Sequence, residues 1–409
     1  MEEVNEDNLA DVMNSILEAK SVNIPEDLED TIDSEPTSDI DLSTEFPYVI
    51  FNREDLLQAM NLASSIVLSK SDNIVYNSIT FVPVREFNTL IMLATNELSL
   101  LRYKAELLGD MNETIDSKFS ISLLTLQKII RLMGNKVLFY IKENNLYVRL
   151  LDGDLCLDLR RPDDKLLSVP GELSDKLAEL KLENIGSIVA STLPLMNTEI
   201  RGDSRKVSFD GEKAYYQSPF YYLESKVKTP PLVLKNRDAE FISKLYNNKN
   251  YRDKTMILHK MTSNLNRIYL SIANIDYIFI SGNASQSNLM SSQLDRILKE
   301  VEAEVEYDRI SRLVSLAVNL PNSTGIITFE FSDKDLRVTL SSNRGDSVFI
   351  LNIDKRTDYL YRKPISIKAE PFKKLLNAFD NPDKIGIAFT DYSIVLEKNG
   401  VKAALMNIT

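Results

Sequence analysis

The sequence predicts an α+β protein made of six like units, each a strand, a helix and about three antiparallel strands, taken two at a time into three domains. Three observations predict it. A one-faced apolar helix pattern recurs six times along the 409 residues, at intervals between 56 and 72. Short apolar strands run directly into five of the six helices. After each helix, apolar runs alternate with polar residues and break at Asn, Asp or Gly, as antiparallel hairpins do.

The helix pattern places apolar residues at i, i+3, i+4 and i+7. In chain order its copies are Leu56, Ala59, Met60, Ala63; Leu126, Ile129, Ile130, Met133; Leu182, Ile185, Gly186, Val189; Asp238, Phe241, Ile242, Leu245; Ile310, Leu313, Val314, Ala317; and Phe372, Leu375, Leu376, Phe379. The second, fifth and sixth match fully, and the others are weaker. Strands lead in at Tyr48–Phe51, Phe119–Ile121, Leu232–Leu234, Val305–Tyr307 and Ile365–Ile367. No such strand is read before Leu182. Three hairpins are plain: Val137–Ile141 with Leu146–Leu150 about Glu143-Asn144-Asn145, Ile326–Phe331 with Leu336–Leu340, and Ile385–Phe389 with Tyr392–Leu396. Domains at 46–166, 167–285 and 286–409 follow, joined near Pro162–Glu172 and Gly282–Ser292, with a short helical insertion at Leu294–Lys299.

Residues 1–45 differ from the rest. They hold 15 acidic residues against one base, Lys20, and read as a disordered acidic extension. The remainder carries 45 acids and 47 bases, so the net charge of −12 belongs to the extension and the body is near neutral. Two readings of the extension stand: a solubilising appendage, or a DNA mimic that occupies a basic surface until DNA displaces it.

Composition narrows the chemistry. The chain has one histidine, His259, in a strand-like run, and one cysteine, Cys156, which alternates with Leu155 and Leu157 and reads as a core thiol. Disulfides, His-rich metal sites and most acyl-transfer triads are thereby excluded, and a soluble cytoplasmic protein without a membrane span is expected. Phosphate-binding glycine loops are missing. Asp152-Gly153-Asp154 and Asp210-Gly211 read as hairpin turns. Only a carboxylate-bound metal at Asp152 and Asp154 would make an enzyme, and calorimetry with magnesium and manganese would reveal one. No catalytic residue, metal or cofactor is expected.

The helix face opposite the apolar one carries Lys128, Arg131, Lys181, Arg237, Lys244, Arg309, Arg312 and Lys374, against only Asp55 and Glu240. Glutamate forms helices as well as lysine does, so a merely solvated face would carry both signs equally. Sparse cations among small polar residues suit non-specific, salt-sensitive contact with the phosphates of duplex DNA.

Phe51-Asn52-Arg53-Glu54-Asp55-Leu56-Leu57-Gln58-Ala59-Met60, Leu90 to Leu100 and Ile365 to Thr409 resemble the opening helix, a strand pair and the closing segment of the bacterial-type DNA sliding clamp, the beta subunit of the replicative polymerase. The resemblance implies a three-domain clamp with helices inside and antiparallel sheets outside. Two copies would close head to tail into a ring around DNA. It implies a non-enzymatic processivity factor that tethers a polymerase, with polymerase and clamp loader held through short peptide motifs. For that peptide pocket it implies Leu223, within Ser218–Leu223, together with Leu234, Met406 and Ile408. Both pocket signatures depart from the family pattern, and with the acidic extension they point to a clamp of a phage or mobile element. The alternative is a clamp-like scaffold for transcription or recombination proteins.

Overall fold

The computed structural model describes residues 44–68, 71, 73–109, 113–162, 172–197, 205–262, 266–282, 300–319, 323–332, 334–358, 360–361, 363–379 and 381–406. Most of the acidic extension and the helical insertion expected at Leu294–Lys299 lie outside them.

Six repeats of strand, helix and three strands follow one another. The first is β1 (Tyr48–Asn52), α1 (Arg53–Ala63), β2 (Ser78–Val84), β3 (Thr89–Thr95) and β4 (Leu100–Glu106). The second is β5 (Phe119–Ser122), α2 (Leu123–Ile129), β6 (Lys136–Lys142), β7 (Asn145–Leu150) and β8 (Gly153–Asp158). The third is β9 (Leu173–Lys181), α3 (Leu182–Met196), β10 (Lys206–Phe209), β11 (Lys213–Gln217) and β12 (Tyr221–Lys226). The fourth is β13 (Leu232–Lys235), α4 (Asn236–Asn247), a one-turn α5 (Lys249–Arg252), β14 (Thr255–Met261), β15 (Arg267–Ile272) and β16 (Ile275–Ile280). The fifth is β17 (Ala303–Glu306), α6 (Tyr307–Asn319), β18 (Ser323–Phe331), β19 (Asp335–Ser342), β20 (Gly345–Asn352) and a two-residue β21 (Asp354–Lys355). The sixth is β22 (Ile365–Lys368), α7 (Ala369–Leu376), β23 (Lys384–Phe389), β24 (Ser393–Lys398) and β25 (Val401–Met406).

The third repeat does have a lead-in strand. Leu173, Asp175, Leu177, Glu179 and Lys181 are exposed along it, so β9 lacks the apolar run that betrays the other five.

Each helix starts on the residue after its strand, which leaves its first backbone N–H groups without intrahelical acceptors. Side-chain caps are rare among the described residues; Ser122 supplies one for α2, accepting from the Thr125 N–H at 3.0 Å. The sister repeat supplies the acceptor instead. The N–H groups of Arg53, Leu123, Leu182 and Tyr307 donate to the carbonyls of Asn135, Asn77, Lys254 and Asp383, each the residue just before the first hairpin strand of its sister repeat. Acidic residues in the first turns (Glu54 and Asp55, Glu183, Asp238, Asp308, Glu370) add favourable charge at the positive helix ends.

The strands obey the same exchange. Every lead-in strand pairs with the first hairpin strand of the sister repeat: β1 with β6, β5 with β2, β9 with β14, β13 with β10, β17 with β23 and β22 with β18. Two repeats are therefore locked into one unit of two sheets. Units join where third strands meet, β4 against β16 and β12 against β25. The sheets have four, eight, nine and four strands, in the orders β1-β6-β7-β8, β5-β2-β3-β4-β16-β15-β14-β9, β13-β10-β11-β12-β25-β24-β23-β17-β21 and β20-β19-β18-β22.

Hairpin turns carry their own backbone signatures. Glu143 and Asn144 join β6 to β7 with φ of 51° and 64°, and Asn399 and Gly400 join β24 to β25 with φ of 51° and 80°, the two positive values that match a tight turn to strand twist. The turn expected at Asp152-Gly153-Asp154 falls at Leu151 and Asp152, Gly153 opens β8, and Asp154 is engaged by Arg149 and by the Tyr140 hydroxyl. Cys156 corrects the expectation of a core thiol. It is exposed on β8, because Leu155 and Leu157 take the inward positions and Cys156 sits opposite Tyr147 on the outer face.

One core runs through the whole array, formed by the inner sheet faces and the apolar helix faces. The helix residues named from periodicity are buried in it, Asp238 included; Leu313 alone is half-buried. At Gly186 the packing leaves no room for a side chain: a Cβ there would sit 2.6 Å from the Tyr246 ring of α4.

Candidate nucleic-acid interface

The helices touch in the order α2, α1, α4, α3, α7, α6, a single row on one side of the sheets. Their apolar faces go to the sheets, so the opposite faces form one continuous surface. Lys128, Arg131, Lys181, Arg237, Arg309 and Arg312 are exposed on it, while Lys244 and Lys374 are half-buried.

Their surroundings differ. Arg309 pairs with Glu306 at 2.7 Å, Arg312 with Asp308 at 2.5 Å and Lys374 with Glu370 at 3.1 Å. These acids lie in or just before the first helical turns and reduce the local positive field of α6 and α7. Lys244 bridges Glu240 at 2.9 Å and the Ser64 hydroxyl at 2.7 Å, which ties α4 to the end of α1 and makes it a junction residue as much as a surface cation. Lys128, Arg131, Lys181 and Arg237 have no carboxylate partner among the described residues. The uncompensated charge thus concentrates on α2 and at the starts of α3 and α4.

Sequence reasoning missed part of this charge. Lys249, Arg252 and Lys254 are exposed on α5 and the loop after it, outside any six-fold pattern. The Lys254 carbonyl accepts the first N–H of α3 at 3.0 Å, which sets this basic run beside Lys181. The run Lys249-Asn250-Tyr251-Arg252-Asp253-Lys254 was the signal available.

The junction between the first two units holds a buried polar network. Asp238 sits in the first turn of α4, where its carboxylate accepts from the Tyr277 hydroxyl at 2.6 Å and from the Ser99 hydroxyl of the neighbouring unit at 3.3 Å. Burial pushes the Asp238 carboxyl above its ordinary range against these hydrogen bonds, and burial next to Asp238 pushes the Tyr277 phenol well up. The equivalent turn of α1 repeats the arrangement, with Tyr103 donating to Asp55 at 2.9 Å. Tyr251 then crosses to Gln58 at 2.9 Å. At the other junction Pro371 holds the place of these aspartates, and the Tyr221 hydroxyl reaches its carbonyl at 3.4 Å.

The four residues named for a peptide pocket are not brought onto one surface. Leu223 and Leu234 are fully buried in the core on the helix side of the sheet. Met406 lies on the opposite, outer face, against Tyr222, Ala388, Val395 and Ala404. Ile408 lies outside the described residues. The physical reason is the period of two: β12 pairs Tyr222 with Ala404, so Tyr222 rather than Leu223 shares the face of Met406. Exposed apolar residues do surround Met406. Its N–H donates to the carbonyl of Phe220, itself 51% exposed, and it pairs with Ser393, next to Tyr392 at 58%.

No protein-family model and no curated protein matches the chain. Solved structures do match. The DnaN sliding clamp (DNA polymerase III subunit beta) of Bartonella birtlesii bound to griselimycin superposes with a TM-score of 0.72 at 11% identity, over 88% of this chain and 99% of that one. The DNA polymerase III beta subunit of Thermotoga maritima gives 0.70 at 12% identity, over 88% and 99%. DNA polymerase III subunit beta of Borrelia burgdorferi, in complex with a natural product, gives 0.70 at 11%, over 90% and 99%. Six exchanged strand–helix repeats, a row of helices on one side and sheets on the other are thus shared along nearly the whole of those subunits, and the fold of this chain is that of the DNA polymerase III sliding clamps.

Proposed function

We propose that the chain is a sliding clamp: two copies close a ring around duplex DNA, and the ring tethers a polymerase without making or breaking a bond. The observation that carries the reading is the single row of helices with uncompensated lysine and arginine along its solvent face. Such a face attracts phosphate without reading sequence, and contacts of this kind let a protein slide. A closed ring needs little affinity, since topology prevents dissociation.

Ring closure by a second copy is supported by the sheet edges. Of the six third strands, four pair across junctions and two, β8 and β20, have no further strand beside them among the described residues, at opposite ends of the array. Joining β8 of one copy to β20 of the other would turn two four-stranded sheets into one of eight, like the sheets at the internal junctions. Val348 and Ile350 are 55% and 61% exposed on β20, an edge that a protein left open would guard with charge. The terminal helices add Leu124 on α2 and Leu316 on α6, both exposed. Three clamp domains divided near residues 166 and 285, after the acidic extension, fit this arrangement. Partner peptides would dock on the outer face around Phe220, Tyr392 and Met406, in place of Leu223 and Leu234.

The test is topological. The purified protein, loaded on nicked circular DNA, is expected to stay bound through gel filtration and to leave once the circle is linearised. Equal loss from circle and line would refute the ring. A scaffold serving transcription or recombination would pass this test too; pull-down of a polymerase against other DNA-bound proteins separates the two.

A further inference from the structure

We propose that the acidic extension is an internal competitor for the basic helix face, occupying it in the absence of DNA and yielding to duplex. The inference rests on reading that face as the DNA site and adds its regulation. The chain supplies both partners. The helix row leaves Lys128, Arg131, Lys181 and Arg237 without carboxylate partners among the described residues, and Lys249, Arg252 and Lys254 extend the same charge beside Lys181. The extension carries a net −14 over residues 1–45, and residues 26–41 alone hold eight acids and no base. The body as a whole is near neutral, at +2, so the surplus of acid lies in the extension.

Geometry permits the contact. The chain enters the fold at its first unit, where Phe46 stacks on Tyr140 at 5.8 Å with Lys142 above it, and β1 then runs directly into α1. The preceding 43 residues reach up to ~140 Å when extended, at about 3.3 Å each, well beyond the helix row. Tethering also holds the acids at an effective concentration in the millimolar range.

Magnitudes decide the order of preference. Duplex DNA presents one charge per ~1.7 Å of axis. Residues 26–41, fully extended at about 3.3 Å per residue, present one per roughly 7 Å. The extension is the weaker polyanion, so duplex displaces it, while sparser polyanions compete less well. The consequence is selectivity: the face is screened from weak ligands and open to DNA.

The experiment uses the full-length protein and a carboxyl-to-amine zero-length crosslinker read by mass spectrometry. Crosslinks from residues 26–41 are expected to concentrate on Lys128 and Lys181 and to disappear on adding duplex DNA. A second full-length protein, with the eight acids of 26–41 changed to Asn and Gln, is expected to bind duplex several-fold more tightly at low salt and equally at high salt. Crosslinks no richer at Lys128 and Lys181 than at Lys142 and Lys213 would overturn the proposal, even with a gain in affinity, which would then be repulsion at a distance. Equal low-salt affinity of the two proteins would overturn it as well. If neither protein binds duplex, the clamp reading falls, and the crosslink pattern without DNA still decides the contact.

Discussion

Asp238 shows how much one residue's meaning depends on where the chain puts it. In sequence it begins a weak apolar pattern; in the fold it is a buried acid 2.6 Å from Tyr277, closing the junction to the first unit through Ser99. Removing the phenol in Tyr277→Phe leaves a buried carboxyl short of a donor and is expected to cost about 1–3 kcal/mol, measured by urea denaturation. The pH dependence has a definite sign. A carboxyl whose pKa is raised on folding binds more protons in the native state than in the unfolded one. Its contribution is therefore present below the unfolded value near 3.8 and is lost as pH rises through the folded value. Asp238→Asn should abolish that decline, so the stability of the native protein relative to the variant should fall from acid toward neutral pH. A difference that does not change with pH would exclude it. On the surface, charge reversal of Lys128, Arg131 and Arg237 is expected to weaken duplex binding for all sequences alike. Each change should lower the slope of log affinity against log salt by about one, with thermal stability unchanged. Reversal of Arg309 and Arg312 should have the smaller effect, because Glu306 and Asp308 already offset them.

At the scale of the element, helices were read well and strand partners were not. A 3.6-residue period survives any tertiary arrangement, so Leu126, Ile310 and Phe372 announce their helices from sequence. β9 does not, since its exposed residues lack the alternation that a half-buried strand shows. Cys156 was misplaced for a related reason: a period of two says that Leu155 and Leu157 share a face, and not which alternate face is wet. Gly186 entered the sequence reading only as one position of a weaker apolar pattern, whereas it is where α3 meets the Tyr246 ring of α4 with no room for a side chain. Gly186→Ala should force the Tyr246 ring aside, at a cost of about 1–3 kcal/mol, visible as a lowered melting temperature. The free edges give a sharper test. With Cys156 the single native thiol, Val348→Cys or Ile350→Cys should yield a disulfide-linked dimer under mild oxidation, and adding Cys156→Ser should abolish it. A monomer in both variants would argue against β8 joining β20.

For the whole molecule, the repeat count and the segregation of acid into residues 1–45 were both legible, because periodicity and composition are properties of the chain. The site was half legible. The bias of eight cations to two acids picked out the helix faces that turn away from the sheets. It overlooked the first-turn acids that neutralise α6 and α7, and the run from Lys249 to Lys254 that adds to α3. The pocket residues failed to gather for want of the register of β12 on β25, which puts Tyr222 rather than Leu223 beside Met406. Under the proposed clamp function, the same register, with Phe220 and Tyr392 exposed near it, gives the outer face as the place to test for peptide docking. Phe220→Ala with Met406→Ala should abolish capture of a client polymerase and leave retention on circular DNA intact.

The amino-acid order alone determined six units, their helices, their main hairpins and the segregation of acid into the extension, since these rest on local periods and on composition. The tertiary structure decided which strand exchanges with which, that the helices fall in one row, that two edges stay open, and which cations keep their charge uncompensated. Those outcomes depend on contacts between residues far apart in sequence, whose register no local pattern encodes.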